Sequence, residues 1–417
     1  MGSLPPSGEP RPAPLSIWRN RAFVMVFASY SASNLGNTFH SIALNLWVLQ
    51  TTGSAKLMSM VLITHLVSSL LFGSIAGTLA DRIDRRRLMW ISDLARFVLV
   101  GLIALGMVVP GIPFYAILLL TALVSVIGTF RTPAFQASLI EIVGKSGVTP
   151  AVAAMTVSDN LTRIGGFAAG GIAIAAFGGA IAVAIDALTF LLSAILLLLA
   201  GRFPYREQGA SSGSRPTFRA DFVEGFQAVW RNGFIRSIVL SLPLVNFFFL
   251  STFMLIQVLA VQVWQASPLV FGLLEACIPL GYVLGSVAIM KWNDRLRYRG
   301  RWILGSVLLI GPCFMAISLM TSAPPALPIV LLVGLLFSFS TTIISIALRV
   351  GIAPELQGRV FGVVGMLTSV APPIGLAAFS ALSDAFGPAL IIGWSGAAML
   401  AAGLLAIVLM KQLRAFH

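Results

Sequence analysis

The sequence predicts an all-α membrane protein with twelve transmembrane helices in two pseudo-symmetric six-helix bundles. Three observations carry this. Of 417 residues, 58% are hydrophobic and only 10% charged, against about 25% charged in soluble chains. That leaves too little polar surface for a water-soluble globule, and it excludes disorder and a disulfide scaffold as well. Apolar stretches of bilayer-crossing length, about 20 residues, recur twelve times. Basic residues collect in alternate connections.

The stretches lie near 21–49, 56–80, 87–109, 113–136, 151–177, 180–201, 235–262, 268–290, 302–321, 326–348, 358–383 and 386–410. Runs this long satisfy their backbone in lipid as helices, not as the short alternating strands of a barrel. The first carries Asn34, Asn37, His40 and Asn45, whose polar groups suit a cavity wall. The second bears Gly73 and Gly77 and runs into a basic segment, "GTLADRIDRRRLM". Asp93 and Arg96, at the start of the third, are assigned to a gate network at that end.

In the fifth, Asp159 and Arg163 stand at i and i+4 on one helical face. A charge at a helix centre costs about 2.5–3.5 kcal/mol on insertion scales. Such a pair needs a partner or a watery cavity, either as a static ion pair or as part of substrate or proton binding. Asp186 in the sixth and Glu275 in the eighth are the other acids well inside apolar runs. The seventh reads "NFFFLSTFMLIQ", with Asn246, Phe249, Phe253 and Gln257 near one face. Aromatics with one or two amides suit a large amphiphile. The eleventh opens "QGRVFGVVG", where Gly358 and Gly362 have the spacing that lets helices approach closely.

Of the 27 Lys and Arg residues, 24 fall in the even connections and the tails, Arg131 among them, and Lys56 alone falls in the odd ones. Arg96 and Arg163 remain inside spans. Positive charge stays cytoplasmic, so both termini are expected in the cytosol of a cell (inner) membrane protein. The net charge of +13 is then a topology signal, and nucleic-acid binding is not expected.

Residues 1–18 read as a disordered tail, 19–201 as the first bundle, 202–234 as a linker, 235–411 as the second bundle and 412–417 as a tail. In the linker, Phe218, Phe222, Phe226 and Val229 recur at helical spacing, as in an amphipathic helix on the membrane face. The halves echo one another. Asp81-Arg82 and Asp294-Arg295 are 213 residues apart, and "PAFQ" and "PELQ" are 221 apart, each placed after the fourth span of its half. Parallel six-span repeats mark transporters that work by alternating access.

The segment Gly77–Met89, with Asp81, Arg82, Arg85 and Arg86, resembles the loop signature of the major facilitator superfamily, with Asp84 where the family usually has Gly. "DRIDRR", together with "NLGNTFHSIALNLWVLQTTGSA", is similar to the macrolide-efflux and enterobactin-exporter-like branch. The resemblance implies export of amphiphilic small molecules, usually driven by protons, with the loop Asp against the start of span 11 when the inner side is closed. It pairs span 2 with 11 and span 5 with 8, where Gly166/Gly170 and Gly281/Gly285 are spaced for contact. "SDNLTRIGGFAAGG" resembles the family's antiporter signature, but Phe167 stands where Pro is expected.

Burial disfavours a charged carboxyl and a nearby cation favours it. Glu275, Asp159 and Asp186 are therefore the proton-coupling candidates. Asn34, Asn37, His40, Arg163, Asn246, Phe249, Phe253 and Gln257 are the substrate-cavity candidates. Gly73, Gly77, Asp81, Arg82, Arg85, Arg86, Asp93, Arg96, Gly358 and Gly362 form the gate motif. The expected partners are an amphiphilic small molecule, protons and membrane lipid, with the chain a monomer. No enzymatic activity, cofactor or metal is expected: Cys277 and Cys313 form no ligand cluster, and no GxxxxGK[ST] loop is present. A siderophore or lipid exporter of the same fold is the alternative. A non-transporting scaffold or receptor gains nothing from the cost of inserting Asp159, Arg163 and Glu275.

Overall fold

The structure is a computed structural model that describes residues 17–80, 82–201, 226–227, 229–231, 233–292, 298–352 and 354–410. Its long elements are all helices: α1 (Arg21–Thr52), α2 (Ala55–Ala80), α3 (Arg85–Val108), α4 (Phe114–Gly144), α5 (Gly147–Phe177), α6 (Gly179–Leu199), α7 (Gly233–Gln262), α8 (Pro268–Trp292), α9 (Arg299–Ser318), α10 (Ala326–Gly351), α11 (Pro354–Phe386) and α12 (Pro388–Leu409). Among the described residues, eleven helices are long and apolar enough to cross a membrane. The twelfth, α1, has the length at 32 residues, but its asparagines and His40 dilute its apolar character.

Local chemistry sets the ends. Asn20 caps α1 by accepting from Phe23 N at 3.3 Å, and Asp84 caps α3 by accepting from Arg87 N at 2.9 Å. The fourth and fifth spans form one 64-residue run that breaks at Gly144, with φ 69° and ψ 169°, a conformation open to glycine because it lacks Cβ. This corrects the predicted boundary. α4 continues past Gln136, so Pro133–Gln136 lies inside a helix while Pro354 starts one, and the two motifs are not equivalent. Arg131, assigned to a connection, is likewise inside α4 and buried. Phe218, Phe222 and Asp81 lie outside the described residues. In the linker, Phe226 and Trp230 stack at 4.8 Å with Val229 buried between their positions, as helical spacing requires.

The packing has a two-fold pattern. In the first half, α1 packs on α5 and α6, α3 on α4 and α6, and α2 on α4; in the second, α7 packs on α11 and α12, α9 on α10 and α12, and α8 on α10. Adding six to a helix number converts one set into the other. The same operation exchanges the two seams between halves, α2–α11 and α5–α8. One apolar core, from Ile42 and Phe190 to Phe271 and Ile392, joins both halves away from the basic connections. Towards the basic connections the core divides, one cluster around Phe23 and Phe135 in the first half and another around Ile303 and Val360 in the second. The molecule is thus sealed at its far end and parted at its basic end.

Candidate functional site

The parted halves enclose a cavity of about 1030 Å³. Its walls come from α1 to α5 on one side and from α7, α8 and α11 on the other. Asn34, Asn37, His40, Asp159, Arg163, Phe253, Gln257 and Glu275 all stand on this wall, with Arg96 and Arg131.

At the sealed end, Asn45 of α1 donates to Gln257 of α7 at 3.4 Å. Glu275, two turns into α8, faces Gln257 and Arg163, and its Oε1 is buried without a hydrogen bond. Four helices from both halves therefore meet around one carboxyl group. Further down, Asn34 donates to Asp159 Oδ1 at 2.8 Å, Ser31 and Ser158 share a hydrogen bond at 2.6 Å, and Tyr30 stacks on Phe135 with ring centroids 4.3 Å apart.

A second network runs from Arg96 and Arg131 on this wall into the first half. Arg131 Nε reaches Asp93 Oδ1 at 2.9 Å, and Ser193 donates to Asp93 Oδ2 at 2.6 Å. Arg96 donates to Asn37 at 2.6 Å and lies 3.9 Å over the Phe190 ring. Among the described residues, neither Asp93 nor Arg96 bonds to the basic loop. They tie α3 to α1, α4 and α6, and Arg96 faces the cavity. Asp186 is buried inside α6 beside His40, whose Nδ1 is 3.4 Å from its Oδ2. Gly36 makes the room, since a Cβ there would collide with Asp186 and Thr189.

The predicted face of α7 is turned by one position. Phe253 and Gln257 reach the cavity beside Leu250 and Met254. Asn246 instead donates to Leu242 O of its own helix. Phe249 is buried against Phe337, with centroids 3.8 Å apart.

At the basic end, positions Gly73 and Gly77 of α2 and Gly358 and Gly362 of α11 have no atom within 4 Å of where a Cβ would stand. Arg85 bonds Glu141 and Ala137 O of α4, Arg86 bonds the last carbonyls of α6, and Arg82 is exposed in the turn. These contacts of Arg85 and Arg86 all lie within the first half. Gly166 and Gly170 pack on α1, and Gly281 and Gly285 on α10. The α5–α8 seam is formed by Gly171 and Gly272 instead, where a Cβ would stand 2.6 Å from Pro268 O or Phe167 O.

Residues 12–416 match the transmembrane secretion effector family of major facilitator (MFS) proteins. The chain belongs to this family. It is a multi-pass MFS transporter, in a family of transporters and not of enzymes. It is 26% identical to the multidrug efflux pump Tap of Mycolicibacterium fortuitum, over 88% of this chain and 90% of that one. Against macrolide efflux protein A of Streptococcus pyogenes the identity is 23%, again over 88% and 90%. The fold is also that of a bacterial homologue of the human lysosomal transporter Spinster, solved inward-facing and unoccupied, with TM-score 0.71 and 14% identity over 97% of each chain.

Two features of this MFS transporter escaped sequence reasoning. Arg131 was hidden by its place near the end of an apolar stretch. Asp384, near the end of α11, accepts from Ala55 N at 2.8 Å, Lys56 N at 3.2 Å and Ser54 Oγ at 2.9 Å. Its partners are 328 to 330 residues away, and no local pattern announces them.

Proposed function

We propose that this chain is a secondary active exporter of amphiphilic small molecules, a drug-efflux transporter coupled to proton influx through alternating access. It would lie in the cell (inner) membrane with its basic end and both termini in the cytosol, following the asymmetry of positive charge. One observation carries the reading: a cavity between the halves, open at the basic end, with the acids Glu275 and Asp159 on its wall. An amphiphile entering from the cytosol meets Phe253, Leu250 and Met254 for its apolar part. Asn34, Asn37 and Gln257 offer hydrogen bonds for its polar part.

Glu275 sits where both halves meet, so rocking them changes its neighbours. A carboxyl whose hydration and cation contact change between states can gain a proton on one side and lose it on the other. Closing the basic end would bring Gly73 and Gly77 towards Gly358 and Gly362, with the Arg-rich loop as the latch and Asp81 against the start of α11. The efflux named for the two relatives supports this direction of transport.

The test is transport of a macrolide or a cationic dye by purified protein in vesicles under an imposed pH gradient. Transport that follows the gradient supports coupling, and transport indifferent to it overturns coupling. A second reading, export of an anionic siderophore or lipid, is favoured by Arg163, which stands on the cavity wall with no carboxylate within 4.0 Å among the described residues. Stronger inhibition by an anionic than by a cationic amphiphile would favour that reading.

A further inference from the structure

We infer that Asp384 is the positioning residue of the far-end gate: from the second half it caps the first turn of α2 in the first half, and its release lets the far end open. The inference rests on the alternating-access reading above.

The geometry is that of an N-cap supplied by another part of the molecule. A helix leaves its first N–H groups without partners, and a side-chain oxygen normally accepts from N2 or N3. α2 has a local cap of its own, because Ser54 Oγ accepts from Leu57 N at 3.3 Å. That leaves the amides of Ala55 and Lys56, and Asp384 takes both, while Ser54 Oγ donates to it as well. The carboxylate also meets the positive end of the helix dipole. About one turn deeper, Ser59 Oγ donates to Ser380 Oγ at 2.9 Å, and both residues are buried. The far-end turn of the seam is therefore polar, while the apolar core follows it deeper in.

Charge is scarce at this end. The far-end connections and the helix turns beside them hold only two charged side chains, Lys56 and Asp384. They stand on different halves, and it is the Lys56 backbone N–H that Asp384 accepts from. The related seam, α5–α8, has no such device. α8 begins at Pro268, which lacks an N–H, and the helices meet there through Gly171 and Gly272. Gln262 Nε2 also donates to Gly53 O across the far end at 2.6 Å, beside the neutral Asn45–Gln257 and Ser59–Ser380 contacts. Among the described residues, Asp384 is thus the one charged side chain that bonds the halves together there. Asp384 and Lys56 are exposed and Ser54 is half-buried, so water replaces each bond when the seam parts. That suits a contact broken once in every cycle.

The test uses the full chain with Cys277→Ser and Cys313→Ser, spin-labelled at Val109→Cys and Ser322→Cys. Both sites are exposed at the far end, one on each half. Loss of an N-cap costs about 1 kcal/mol, so Asp384→Ala should shift the ratio of closed to open far-end distances about fivefold towards open. Asp384→Asn keeps an acceptor oxygen and should shift it less. A purely structural residue would lower the melting temperature and leave this ratio unchanged. If Asp384→Ala does not fold, Asp384→Asn and Ser54→Ala are read in the same way, and wild-type ratios in both overturn the latch. A wild type that opens, beside an Asp384→Ala protein with the same ratio, also overturns the latch alone. A wild-type far end that never lengthens, across pH and with dye present, overturns alternating access itself.

Discussion

Asn34 of α1 holds Asp159 of α5 through a 2.8 Å hydrogen bond, and Arg163, one turn along from Asp159, forms no ion pair with it within 4.0 Å. The two charges that the sequence sets side by side are therefore separately engaged. Asp159 is fixed by a neutral amide on a neighbouring helix, while Arg163 faces Glu275.

Removing the Asp159 carboxylate should therefore disable transport more than it harms the fold. Asp159→Asn is expected to lower dye efflux at least about tenfold, and Asn34→Ala less. The loss of a hydrogen bond to a charged group is worth roughly 1.5–3 kcal/mol. Initial rates in vesicles, normalised to monodisperse protein, check this. Unchanged rates in both variants would remove Asp159 from the transport site.

Glu275→Gln separates coupling from binding. The amide keeps the shape and the contact with Gln257 but cannot exchange a proton. Gradient-driven transport should fall more than about tenfold, whereas substrate-for-substrate exchange, which needs no net proton movement, should persist. If gradient-driven transport survives intact, the coupling role passes to Asp159.

The glycine seams should respond in opposite ways. Gly272→Ala places a Cβ 2.6 Å from Phe167 O, and overpacking of this kind typically costs about 1–3 kcal/mol. It should lower the melting temperature of the basic-end-open state. Gly73→Ala adds a Cβ that meets nothing within 4 Å in this state, so its melting temperature should not move, yet transport should slow because the basic end closes less tightly. Equal effects on melting at both sites would contradict this.

The Asp93–Arg131 pair is buried, and removing one partner leaves the other uncompensated, at about 3–5 kcal/mol. Arg131→Ala should therefore destabilise strongly. The double variant Asp93→Ala/Arg131→Ala should cost less than the sum of the single changes, as thermal unfolding in detergent can show.

Much of this was legible in the sequence. Twelve apolar stretches became twelve long helices because lipid forces a backbone to close its own hydrogen bonds. The α1 asparagines reached the cavity, since polar groups in a span turn away from acyl chains. The errors share one cause, which is that periodicity ranks faces of a helix but does not fix its rotation. Asn246 and Phe249 were chosen on a face one position away from Leu250 and Met254. Arg131 looked like a loop cation because nothing local pairs it with Asp93, 38 residues earlier. The contact of Asp186 with His40, for which Gly36 makes room, joins α6 to α1 and has no local signature.

Among the described residues, the buried charged side chains are Arg85, Asp93, Arg96, Arg131 and Asp186 in α1–α6, and Glu275 alone in α7–α12. This is a division of labour between the repeats. The first half carries nearly all the fixed electrostatics, and the second presents mainly a hydrocarbon contour. Leu250, Met254 and Leu376 can be exchanged for other apolar residues without leaving an ion unpaired. The range of cargo could thus drift through mutations in the second half while the ionic machinery of the first stays untouched.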